Sequence, residues 1–421
     1  MNGLFLSLLV ITLISCRQVD PGANSISMPA GPSVQDSLTD ELTQLHQLGF
    51  INGFGVAIVD DQGVLYAEGI GFADVASQQP YTRTTIQNIG SVSKTFIGVA
   101  LLKAAELGHL KLDDPVNSHL PFRVSNPNFP DAAITVRQLA THTSSILDTD
   151  RYNESTYVLK ESVPISDATR LALGEVFNVP ESKMPLLDYL EKVLSEKGEW
   201  YEAAAFTTHR PGAIYEYSNV GAALAAAVLE RATGRTYNEF VTEHLLNPLG
   251  MTRSGLSFEE VDSALHSTLY VTPTTELPYY SLITYPDGGM ITCSADLGNY
   301  LSELVKGYLG NGVLLQKESY RELFTEQLRP QHLPGRSSEN AYDDEYNSGI
   351  FMGFTPRGFI GHTGGDPGIA TFMFFDPITR TGRLLMINTR VGGSQGGVDE
   401  FYAIWNKLEA YAARLVSTER S

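Results

Sequence analysis

The chain has 421 residues, 43% hydrophobic and 18% charged, which allows one large lobed unit or two to three domains and excludes a disordered segment. A formal net charge of -19 opposes approach to nucleic acid, so nucleic-acid binding is excluded. With only Cys16 and Cys293 present, no disulfide framework or cysteine-based metal site can be built.

In chain order, the apolar run from Leu4 to Ile14 is too short to span a bilayer and suits the core of a signal peptide. Its end, Leu13-Ile14-Ser15-Cys16, resembles a bacterial lipobox, in which the cysteine is acylated and becomes the first residue of the mature chain. The segment before it holds no Lys or Arg, and a plain signal peptide cut elsewhere is the alternative. Residues 1–16 are therefore expected to be a lipoprotein-type signal, with Cys16 lipidated and the protein exported and membrane-tethered at the bacterial cell envelope. Residues 17–35, with Pro21, Gly22, Pro29, Gly31 and Pro32, read as a flexible tether.

Leu38, Leu42, Leu45 and Leu48 recur at helical spacing from Ser37 onward. FGVAIVD and VLYAEGIGFAD then read as strands joined by an Asp61-Gln62-Gly63 turn. At the other end of the sequence, IATFMFFDP and GRLLMINT read as strands and EFYAIWNKLEAYAARLV as a closing helix. Residues 111–277 are dominated by helical stretches such as MPLLDYLEKVLSEKG and NVGAALAAAVLERATG. The expectation is an α+β fold over residues 36–421. A sheet is assembled from both chain ends (36–110 and 278–421), with a mostly helical lobe, 111–277, inserted between them. Two long loops, from Asp148 to about Ser182 and from Gln327 to about Asn347, read as lids or mobile segments.

Three short motifs carry candidate chemistry. Ser91-Val92-Ser93-Lys94 opens an apolar helix, where free backbone N–H groups favour developing negative charge and Lys94 falls on the face of Ser91. A serine hydroxyl is a weak nucleophile, and an amine kept neutral by apolar surroundings can take its proton. The bland reading is a helix cap at Ser91 and a solvated Lys94. Tyr217-Ser218-Asn219 can turn a phenol and an amide to one point, or Asn219 can simply cap the next helix. His362-Thr363-Gly364-Gly365, just before a strand, exposes backbone N–H groups, although His362 can equally be an ordinary edge-strand residue.

In this order the motifs resemble those of the serine β-lactamase and penicillin-binding-protein superfamily, most closely its class C branch with DD-peptidase, D-aminopeptidase and esterase relatives. Further matches run through LKLDDPVNSHLP, ITVRQLATHTSS, EFVTEHLLNPLGMT and PDGGMITCSADL, so the likeness covers about Leu38 to Leu415. The resemblance implies a β-lactamase/transpeptidase-like fold and a serine hydrolase without metal or cofactor, taking a small-molecule or peptide substrate. It implies Ser91 as the nucleophile that becomes acylated, Lys94 as its base or proton relay, and Tyr217 as a general base in deacylation or acid to the leaving group. Asn219 would orient substrate and Lys94. His362, Thr363, Gly364 and Gly365 would line the substrate, with the N–H groups of Ser91 and Gly365 as oxyanion hole.

Two departures shape the expectation. His362 stands where dedicated β-lactamases carry lysine, and with a reference pKa of about 6.5 it lacks a permanent positive charge for a penicillin carboxylate. Cleavage of small esters or D-amino-acid peptides is therefore favoured over a DD-carboxypeptidase or β-lactamase activity. An inactive membrane-tethered binding protein is the alternative of another class. Thr143-Ser144-Ser145 stands where the family has Thr-Ser-Gly, so a different local turn is expected. His142 beside it reads as a structural, loop-holding residue, and Cys293 as a small buried one.

Overall fold

The computed structural model describes residues 33–166, 169–170 and 176–419; Cys16, the signal segment and the tether up to residue 32 lie outside them. Helix α1 spans Val34–His46. It begins three residues before the leucine pattern suggests and, with its Ser33 cap, takes in residues 33–35, expected to belong to the tether, because Ser33 and Asp36 form a reciprocal capping box that satisfies the first free N–H groups.

The main sheet is built from eight strands, numbered here β1 (Gly53–Val59), β2 (Val64–Asp74), β3 (Gln79–Pro80), β4 (Asn347–Ser348), β5 (Gly353–Phe354), β6 (Ile360–Asp366), β7 (Ile369–Asp376) and β8 (Thr381–Ile387). Their spatial order is β4-β5-β6-β7-β8-β1-β2-β3, every neighbour antiparallel. The sheet closes where β1 from the N-terminal part pairs with β8 from the C-terminal part, Phe54 opposite Ile387 and Val59 opposite Gly382. The β1–β2 hairpin turns as read, Asp60 Oδ1 accepting the N–H groups of Gln62 and Gly63.

Strand side chains alternate between faces, and both faces of this sheet are covered. Phe54, Val56 and Ile58 of β1 join Leu385 and Ile387 of β8 in a core with Leu38 and Leu42 of α1. The same core holds Phe401, Ile404, Trp405 and Leu408 of the closing helix Gln395–Glu419. Ala57 and Val59, with Leu384 and Met386, face the helix Ser294–Tyr308 through Leu297, Tyr300 and Leu301. That double burial explains why β1 and β8 are apolar at consecutive positions although the sheet is antiparallel.

Below this second face run two helices, α2 (Ser93–Glu106) and α3 (Asn219–Thr233), packed on one another. Each is apolar nearly all round, as a helix enclosed on every side must be. Alanine-rich α3 starts at Ser218, whose hydroxyl accepts the Gly221 N–H at 2.9 Å, and ends at left-handed Gly234 (φ 70°). Residues 111–277 carry more strand than their pattern suggests. Tyr157–Leu159 pairs with Phe177–Asn178 and with Tyr280–Leu282, and Leu269–Thr272 pairs with Thr275–Leu277. These runs are too short to show a period of two, and their aromatic and β-branched residues were the available signal. Among the described residues no helix is long and apolar enough to cross a membrane.

Phe374 of β7 is fully buried on the face away from α2, against Trp405 and Phe372. Replacing it with alanine is expected to cost about 3–5 kcal/mol, read as a lower denaturant midpoint at unchanged slope.

Candidate active site

Ser91 lies in a tight turn, Gly90–Val92, that runs straight into α2. Gly90 has φ 54°, and a Cβ on it would stand 2.8 Å from the Gly365 nitrogen. A Cβ on Gly364 would stand 2.1 Å from the Ile89 carbonyl oxygen. The turn and β6 therefore touch backbone to backbone, which only glycine permits at these two positions. That contact brings the Gly365 N–H beside Ser91.

Lys94 follows one turn later and is fully buried. Its Nζ lies 2.9 Å from Ser91 Oγ, 2.6 Å from Asn219 Oδ1 and 2.7 Å from the Asp287 carbonyl oxygen. Burial holds the amine below its usual value of 10.5, against the opposing pull of the carboxylates of Asp287, Asp148, Asp366 and Asp344. Two of the three neighbours can only accept. A neutral amine therefore gives its two N–H bonds to Asn219 and Asp287 and turns its lone pair to the Ser91 hydroxyl.

The orientation of Asn219 is fixed by Asp148, which sequence reading did not single out. Asp148 Oδ2 accepts from Asn219 Nδ2 at 2.8 Å and from the Asn219 N–H at 2.9 Å. Its Oδ1 accepts from the Val220 N–H at 2.9 Å and the Ser218 hydroxyl at 3.1 Å. A carboxylate can only accept, so Asn219 must present its amide nitrogen to Asp148 and its oxygen to Lys94. The same carboxylate sits on the first free N–H groups of α3, where negative charge is favoured.

Tyr217 is half-buried, and its phenol shares a hydrogen bond with Ser91; partial burial in the site pushes its pKa well above 10, so it stays protonated. The Lys94 Nζ lies 5.1 Å from its ring centre. His142 stacks on Tyr217 at 4.4 Å, and its Nδ1 accepts the Ser218 N–H at 3.1 Å. Burial holds His142 well below 6.5, in the neutral form that can accept. It thus fixes the Tyr217-Ser218-Asn219 segment. Ser145 keeps a left-handed turn (φ 68°), so the turn expected to differ takes a glycine-like conformation instead. Its hydroxyl accepts from Asn126 Nδ2 at 3.0 Å, offsetting part of a strain of about 1–2 kcal/mol.

His362 of β6 is buried, its ring centre 6.3 Å from that of Tyr217. Its Nδ1 faces two acceptors, the Thr363 carbonyl at 2.5 Å and Asp344 Oδ2 at 3.1 Å, and so carries the proton. Burial lowers its pKa despite Asp344, so the ring is neutral at pH 7. Asp344 also accepts from the Thr363 N–H at 2.7 Å and the Thr363 hydroxyl at 3.0 Å. Both long loops thus deliver side chains to the site. Asp148, with Tyr152 bonded to Asp287 at 3.2 Å and Tyr157 bonded to Asp366 at 2.8 Å, comes from the first, and Asp344 from the second. Among the described residues no three His, Cys, Asp or Glu side chains group as a metal site. Cys293 is buried without a disulfide, its thiol pushed up to about 12 by burial.

A family model described as Beta-lactamase matches residues 40–404, and the chain belongs to that family of serine hydrolases, with its penicillin-binding-protein relatives. The chain is 28% identical over 259 residues to Protein flp of Staphylococcus aureus (strain MW2), covering 61% of this chain and 46% of that protein. It thus spans about half the length of the first curated relatives it matches. It is 24% identical over 354 residues to Penicillin-binding protein 4* of Bacillus subtilis (strain 168), covering 80% of this chain and 67% of that one. Among solved structures, the octameric penicillin-binding protein homologue from Pyrococcus abyssi superposes with a TM-score of 0.66 at 23% identity. That match covers 87% of this chain and 76% of that one, and shows the shared fold.

Two substitutions test this geometry through the rate at which a fluorophosphonate probe labels Ser91. Asp148→Ala frees the Asn219 amide to rotate; labelling is expected to slow about 100-fold, as for other small misplacements, with about 1–3 kcal/mol lost in stability. Gly364→Ala forces β6 off the Ser91 turn and is expected to abolish labelling in any protein that still folds, checked by circular dichroism.

Proposed function

We propose that this protein hydrolyses ester or amide bonds, in small esters or D-amino-acid peptides, through an acyl-enzyme on Ser91. The observation that carries the reading is the set of three oxygens around the buried Lys94, two of which can only accept, so that a neutral amine's lone pair is left for the Ser91 hydroxyl.

Lys94 takes the Ser91 proton as Oγ bonds to the substrate carbonyl carbon, and the C=O pair moves onto oxygen. The N–H groups of Ser91 and Gly365 hold that oxyanion at the start of α2. Collapse of the tetrahedral intermediate breaks the bond to the leaving alcohol or amine. Tyr217, kept protonated by burial, gives that group its proton and recovers one from the Lys94 ammonium. Water then attacks the acyl carbon, its proton passing to the same pair, and Ser91 Oγ departs with a proton restored. Deacylation through a resting Tyr217 phenolate is disfavoured by the same burial.

The neutral His362, backed by Asp344, favours substrates without a carboxylate to be recognised there. That ranks esters and uncharged amides above β-lactams and DD-peptides. Acylation of Cys16 would hold the enzyme on a membrane surface at the cell envelope, with residues 17–32 as tether.

Hydrolysis of a short-chain nitrophenyl ester, with the acyl group on Ser91 by intact mass, is the test; Ser91→Ala is expected to eliminate both. Turnover that persists in Ser91→Ala would overturn the reading. Because burial lowers the Lys94 pKa, the neutral base grows in as pH rises through a value below 10.5, so acylation should rise with pH. No falling limb from Tyr217 is expected below pH 10. Lys94→Arg should lower the acylation rate by about 10²–10⁴-fold.

A further inference from the structure

We propose that Asp344 sets the charge selectivity of this site, excluding substrates that carry a negative charge about two residues from the scissile carbonyl. The inference rests on the acyl-serine reading and deepens it.

The Thr363 N–H bonds to Asp344 and so points away from β7, out of the open edge of β6. Strand geometry repeats every second residue, so the Gly365 N–H points out of the same edge, where it meets the Ser91 turn. Two residues along a strand is about 7 Å. A substrate whose carbonyl oxygen lies at Gly365 and which extends along this edge therefore meets, about 7 Å away, the carboxylate of Asp344.

That carboxylate already holds the donors an anion would need. It accepts from the Thr363 N–H, the Thr363 hydroxyl and His362 Nδ1. Its side chain is only 10% exposed, so solvent screens it little. Lys94 offers an anion little, since its amine is enclosed near the carboxylates of Asp287, Asp148, Asp366 and Asp344 and its Nζ is already engaged by Ser91, Asn219 and Asp287. An incoming anion finds its donors occupied and a like charge among them, whereas a neutral or amine-bearing group meets no such opposition.

The test compares two substrates with the same leaving group, p-nitrophenyl hexanoate and the mono-p-nitrophenyl ester of adipic acid, whose carboxylate lies four methylene groups from the reacting carbonyl. The wild-type protein is expected to prefer the neutral hexanoate in kcat/KM. Asp344→Asn and, as a second neutral variant, Asp344→Ser should shift the ratio toward the adipate about tenfold or more, while Asp344→Glu should keep the wild-type ratio. The ratio is the readout because either variant can also slow both esters by loosening His362. A wild-type preference for the adipate, or a ratio unchanged in whichever neutral variant retains native circular dichroism, would overturn the inference while leaving the acyl-serine mechanism standing. Failure of the folded wild-type protein to turn over either ester or to accept a fluorophosphonate on Ser91 would instead overturn the mechanism and the inference with it.

Discussion

Everything at this site depends on a lysine amine held out of water, where two of its three close neighbours can only accept from it. An exposed Lys94 would be an ammonium at neutral pH and useless as a base. Enclosure between α2, α3 and the segment carrying Asp287 lowers the cost of losing its proton, while the acceptors on Asn219 and Asp287 fix where its remaining N–H bonds go. The neighbouring carboxylates pull the other way. Desolvation exceeds that pull, and the balance leaves a base whose proton affinity can be tuned from several directions. Asp148 is part of the same balance, since it orients the acceptor on Asn219 while adding negative charge.

A second constraint is the backbone contact between β6 and the Ser91 turn. Gly90 and Gly364 let two segments far apart in sequence approach more closely than any side chain would allow. The main sheet serves this contact. With one face closed by α1 and the C-terminal helix, and the other packed on the helix Ser294–Tyr308, β6 is held rigidly enough to keep Gly365 in register with Ser91.

Much of this was legible in the chain. The β1 and β8 runs, the closing helix and the assembly of one sheet from both ends follow from apolar patterning alone. The three motifs were visible as residues, and resemblance, more than spacing, brought them together. What stayed hidden was Asp148, Asp287 and Asp344. An isolated aspartate in a loop has no periodicity and no fixed partner distance, so its role depends on which backbone N–H groups the fold delivers to it. Asp287 acts on Lys94 through its main-chain oxygen, a role no side-chain pattern can announce. The left-handed Ser145 was missed for a related reason, because its turn is imposed by the surrounding structure against local preference.

The pairing of β1 with β8 also bears on when the molecule becomes reactive. Ser91 and Lys94 are made early, whereas Gly365 and the strands that anchor it are made far later. A nascent or partly unfolded chain carries the serine without the Gly365 N–H beside it and with Lys94 still in water. Under the proposed mechanism such a chain has an ordinary hydroxyl where the folded protein would have a nucleophile, so reactivity would be switched on by a long-range strand pairing, the slow kind of contact to form. No separate inhibitor would then be needed to keep the unfinished chain inert.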